Sequence, residues 1–179
     1  MDQSIASRWM KAVVVAAALS LLAAPEPGAA AGSAPPAAPV RAEPAADQGL
    51  ELRLQTVKKD LLVLLEFADH FLAAGETKTA AQLQAPLDDY LRRHVDYLVT
   101  RSVDGSNIAL TQLSAEIALI KARLLIVLNY RDDAGTVLSD MKRLYAPYQK
   151  MSVQLQGNTT TLDEAIRQLD SDLARIARK

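Results

Sequence analysis

From Leu50 to Ile176 apolar side chains recur at alternating intervals of four and three residues, and this rhythm decides the fold class. Leu50, Leu54, Val57, Leu61, Leu64, Ala68 and Phe71 follow one another as 4-3-4-3-4-3. A helix turns once in 3.6 residues, so such a run lines one helix face, whereas a strand would need a period of two. The apolar set is mostly Leu and Ala, and only 4% of the chain is aromatic. That mixture favours helices over strands, which draw on β-branched and aromatic residues.

The same rhythm restarts four times. Ala80, Leu83, Leu87, Tyr90, His94 and Tyr97 form a second seam, with Pro86 marking either a kink or a fresh helix start. Leu110, Leu113, Ile117, Ile120, Leu124 and Val127 form a third. Val137, Met141, Leu144, Tyr148, Met151 and Leu155 form a fourth that runs through Pro147 and predicts a kinked helix. Leu162, Ile166, Leu169, Leu173 and Ile176 form the last, behind the capping-box sequence Thr161-Leu162-Asp163-Glu164. Punctuation lies where the seams break: Gly75 and Thr77, Asp104-Gly105-Ser106-Asn107, and Gly157-Asn158. Between Asn129 and Gly135 a turn and a kink both fit, with Asp132 or Asp133 available as a cap.

The expected architecture is therefore all-α: a bundle of about five helices, near 50–74, 78–102, 107–131, 133–156 and 161–178, built from antiparallel helix hairpins. Two segments, Leu61–Leu65 (LLVLL) and Leu124–Leu128 (LLIVL), are apolar on every side. A helix of that kind needs cover all round, which predicts the first and third helices at the centre and the others outside.

Upstream of the seams the composition changes. Arg8 and Lys11 precede Ala12–Ala24, 13 apolar or small residues interrupted only by Ser20. This is shorter than the roughly 20 residues of a spanning helix and is followed by Pro25, Pro27 and an Ala-x-Ala site. The pattern predicts a signal peptide over residues 1–31, with cleavage after Ala31 preferred and Ala30 as the alternative. Residues 32–48, with Pro35, Pro36, Pro39 and Pro44, are expected to be a flexible Pro/Ala-rich linker, and residues 49–179 the helical domain. Export to the periplasm or the exterior follows, with no stable membrane anchor after cleavage.

Charge and chemistry narrow the function further. The net charge is −1 over the whole chain, and residues 1–31 hold two charges of each sign, so the mature balance is the same. Nucleic-acid binding, which needs a basic stripe, is not expected. The chain has no cysteine, which excludes disulfides, thiolate catalysis and an N-terminal lipid-modified cysteine. Its two histidines are His70 and His94. Glu66 and His70, four apart, share a helix face but lack a third ligand, so no metal or other cofactor is expected. No phosphate loop, nucleophile elbow or catalytic triad pattern is present, and the chain is not read as an enzyme.

What remains is binding. The first expectation is a protein–protein role, as an accessory, adaptor or envelope-stress factor, with another envelope or secreted protein as partner and oligomerisation possible. The alternative is a small-molecule or cofactor carrier with a pocket between helices near Tyr145 and Tyr148. Tyr130, Tyr145, Tyr148 and His94 are the candidate binding residues, because each joins an apolar ring to a polar atom on or beside an apolar seam.

Overall fold

A computed structural model describes residues 44–73, 84–103, 107–155 and 157–176, all within the compact unit Ala42–Lys179. The expected signal peptide, the first part of the linker, the Gly75 and Thr77 punctuation and the Asp104-Gly105-Ser106 turn lie outside the described residues.

Among the described residues five helices form, as the seams predict. α1 spans Pro44–Ala73 and therefore takes in residues 44–48 of the expected linker. Pro44 stands at its first position, where the missing amide hydrogen costs nothing. α2 consists of Gln84–Tyr90, a π-helical stretch Leu91–Asp96 and Tyr97–Ser102 in unbroken succession. α3 spans Ile108–Val127, α4 Arg131–Leu144 and α5 Leu162–Ile176.

α3 is the axis of the molecule. Its neighbours are α1, the last part of α2, α4, α5 and a short hairpin. Burial follows on every side of the helix: Ala115, Ile117, Leu119, Ala122, Leu124 and Leu125 are all sealed. α1 behaves differently. Leu54, Val57, Leu61, Leu65 and Ala68 are buried, but Leu62 and Val63 are 45% and 46% exposed. The expectation that two helices share the centre is corrected: one helix is surrounded, and α1 lies against it with an open outer face.

Helix ends are set by local chemistry. The Asn107 side chain accepts from the amides of Ala109 (3.1 Å) and Leu110 (3.3 Å), capping α3. At its other end Asn129 takes φ +64°, and the amides of Asn129 and Tyr130 return to the carbonyls of Ile126 and Leu125. This is a Schellman turn with asparagine in the left-handed position. The junction left open between turn and kink is thus a turn. Neither Asp132 nor Asp133 caps α4; its N-cap is Tyr130, and both aspartates sit in the first turn, near the positive pole of the helix.

The fourth expected helix is corrected most. Regular helix stops at Leu144, Pro147 occupies a 3-10 turn over Ala146–Tyr148, and the chain then forms an antiparallel hairpin. β1 (Ser152–Leu155) pairs with β2 (Asn158–Thr161), with Ser152 opposite Thr161 and Leu155 opposite Asn158. Val153 and Leu155 point into the core on the strand period of two. Gly157 takes φ +79° at the tip, a conformation costly for any residue with a Cβ. Thr161 then starts α5, its hydroxyl accepting from the Glu164 amide at 3.3 Å, while the Glu164 carboxylate accepts from the Thr160 hydroxyl at 2.9 Å.

Candidate functional site

The spacing of buried residues in α2 explains its π-helical stretch and the surface it creates. Leu87, Leu91, Val95 and Val99 are buried at successive intervals of four. In an α-helix each such step drifts about 40° around the axis, so a straight α-helix would carry the set off its face. Bonding from i to i+5 widens the turn and opposes that drift. The expected seam is accordingly rotated: Tyr90 and His94 are half-buried, and Tyr97 is 59% exposed.

Arg92, Asp96, Tyr97, Thr100 and Arg101 line an open depression on this outer side of α2. Arg101 donates to the Tyr97 hydroxyl at 2.9 Å, which holds guanidinium and ring as one unit. The Asp96 carboxylate accepts from Lys121 of α3 at 2.5 Å, with the lysine largely covered. Two guanidinium groups thus face one carboxylate already engaged from behind, and the depression is net positive.

The four residues singled out by the sequence do not come together as one site. His94 lies with its ring 5.5 Å from that of Tyr90, tilted by 43°. Tyr90 in turn donates to Asp60 of α1 at 3.2 Å. Burial raises the Asp60 carboxyl above its ordinary range, although the hydrogen bond from Tyr90 pulls the other way. Burial, reinforced by the Asp60 charge, raises the Tyr90 phenol. Tyr130 heads α4, its phenol raised by burial and by the carboxylates of Asp88 and Asp133.

Tyr145 and Tyr148 lie past the other end of α4, 14 residues and therefore roughly 20 Å of helix away. Tyr145 is 1% exposed, with its hydroxyl 2.9 Å from Ser114 of α3. Because the Ser114 proton goes to the Thr111 carbonyl (2.9 Å), Tyr145 is the donor. Burial pushes its phenol up to about 12. Tyr148 is half-buried in the 3-10 turn, its amide bonded to the Tyr145 carbonyl.

Sequence reasoning missed one polar centre altogether. Glu116, nearly sealed within α3, accepts from Lys58 of α1 at 2.6 Å through one oxygen and from the Gln154 amide of β1 at 3.0 Å through the other. A lone carboxylate in the run Ala115–Ile120 was the available signal. In a helix covered on all sides, an acid must find partners. Every buried side-chain nitrogen and oxygen among the described residues does have a hydrogen-bond partner.

Among the described residues no group of three His, Asp or Glu side chains converges as metal ligands, and no helix is long and apolar enough to cross a membrane. Comparison with family models, with curated proteins and with solved structures returns no match.

Proposed function

We propose that this chain acts as an exported binding protein, an accessory or adaptor of the envelope or exterior that engages a second protein through the depression on α2. The observation that carries this reading is the exposed Tyr97–Arg101 pair beside Arg92 and Thr100. Tyrosine and arginine are the side chains most often responsible for binding energy at protein interfaces, and a ring and guanidinium already hydrogen-bonded to each other lose little freedom on docking. The positive balance of the depression favours a partner segment bearing carboxylates. The carrier alternative would need room near Tyr145, whose ring fills the core and whose hydroxyl is spent on Ser114.

Export is part of the same proposal, resting on the basic, apolar and small-residue order of residues 8–31. A photo-crosslinking residue placed at exposed Thr100, beside the Tyr97–Arg101 pair, should give a discrete adduct in the native host. Arg92→Glu with Arg101→Glu should remove it, and the same probe at exposed Gln168 of α5 should not produce it. Identical adducts from both positions would overturn the site. Mass spectrometry of the exported protein should find a new N-terminus near Gly32; an intact Met1 on extracellular or periplasmic material would overturn cleavage.

A further inference from the structure

The outer face of α1 carries a second line of residues spaced four and three apart: Leu52, Thr56, Lys59, Val63, Glu66 and His70, all exposed. Leu52, Leu62 and Val63, three of the large apolar residues left exposed on the described surface, lie on this face or at its edge. Lys59 stands three residues before Leu62 and Glu66 three after Val63. Neither charge has an ion-pair partner among the described residues. About 10 Å of helix rise keeps them from pairing with each other.

This arrangement is self-complementary about the midpoint of Leu62 and Val63. A second α1 laid antiparallel across a two-fold axis at that point brings Leu62 beside Leu62 of the partner copy and Val63 beside Val63 of the partner copy. Lys59 then meets Glu66 of the partner copy. The Lys59–Glu66 contact occurs twice, as a two-fold axis requires. A parallel copy would instead oppose lysine with lysine and glutamate with glutamate. From this charge complementarity around an exposed apolar pair we infer that the outer face of α1 is a homodimer interface, and that its occupant is a second, antiparallel copy of this chain. Dimerisation through α1 presents two α2 depressions on one particle, which raises the avidity for any partner with repeated sites.

Sedimentation velocity on the full chain as its host produces it tests the pairing. A reversible dimer is expected. Lys59→Glu or Glu66→Lys alone turns two attractive contacts repulsive and should weaken it about tenfold or more. The two single variants mixed in equal amounts should recover the wild-type affinity as a heterodimer, and the double variant should recover it by itself. Val63→Asp should abolish association while leaving the thermal midpoint of the dilute protein unchanged, because the side chain is already half in solvent. A chain that stays monomeric at about 100 µM, a concentration at which even a weak Kd would show, overturns the inference. So does a dimer indifferent to the charge swaps, or a monomer that dimerises only once the residues preceding Pro44 are removed, which would make that segment the occupant.

Discussion

Leu61–Leu65 and Leu124–Leu128 are near copies in composition, yet they meet opposite surroundings. In α3 the segment is enclosed: Leu124, Leu125, Ile126 and Leu128 are buried and Val127 is partly buried. In α1 the segment divides, with Leu61 and Leu65 inside and Leu62 and Val63 in solvent. The difference comes from neighbours rather than residues. α3 is flanked by three other helices besides α1 and by β1, whereas α1 rests on α3 and α2. An apolar run therefore shows that a helix can be central without making it so. The surplus that the core does not take up is left as surface.

Substitutions can break this comparison, and the strongest is Leu125→Asp. It places an unpaired carboxylate in a sealed position and should cost more than about 4 kcal/mol, enough to prevent folding. Soluble protein with native circular dichroism would contradict α3 as the axis. Glu116→Ala comes next. It leaves the Lys58 ammonium and the Gln154 amide without their acceptor and should cost about 3 kcal/mol in urea denaturation.

Tyr145 sharpens the contrast by pH. Its phenol titrates higher in the folded protein than in the unfolded chain, so its stabilising contribution is complete below pH 10 and disappears as pH rises through about 12. Wild-type protein should lose up to about 3 kcal/mol over that interval through Tyr145. Tyr145→Phe should flatten the alkaline slope while costing about 1 kcal/mol at neutral pH for the lost hydrogen bond. An unchanged slope in the variant would place the titration elsewhere. The smallest effect is Leu62→Asp, which should shift stability by no more than about 0.5 kcal/mol when measured on dilute protein.

Helix number and class were legible because period and composition agreed over long stretches. α5 shows this well: Leu162, Ile166 and Leu169 are buried as its seam requires, and Thr161 caps as its motif requires. Where two patterns overlapped, the longer one misled. Met141, Tyr148 and Leu155 keep helical spacing, but Val153 and Leu155 alternate, Gly157 supplies a positive φ, and Thr159–Thr161 are β-branched. The three threonines and the glycine were the better guide to the hairpin.

The candidate site was harder to see. Tyr97 was assigned to the seam, and no sequence pattern singled out Arg92. The π-helical stretch that rotates both onto the surface follows from buried residues at intervals of four, and recognising those requires knowing which side of the helix is inside. Glu116 and Lys58 are 58 residues apart, and no local pattern announces a partner at that distance.

The grip of Glu116 on β1 also has a consequence in time. A hairpin of two four-residue strands is marginal by itself and would ordinarily fray within the native state. Here the Gln154 amide, on the outer edge of the pair, cannot open without uncovering a carboxylate that also holds α1. Its hydrogen should exchange with solvent at the pace of global unfolding, alongside the amides in the middle of α3, and far more slowly than its place on a short edge strand would suggest.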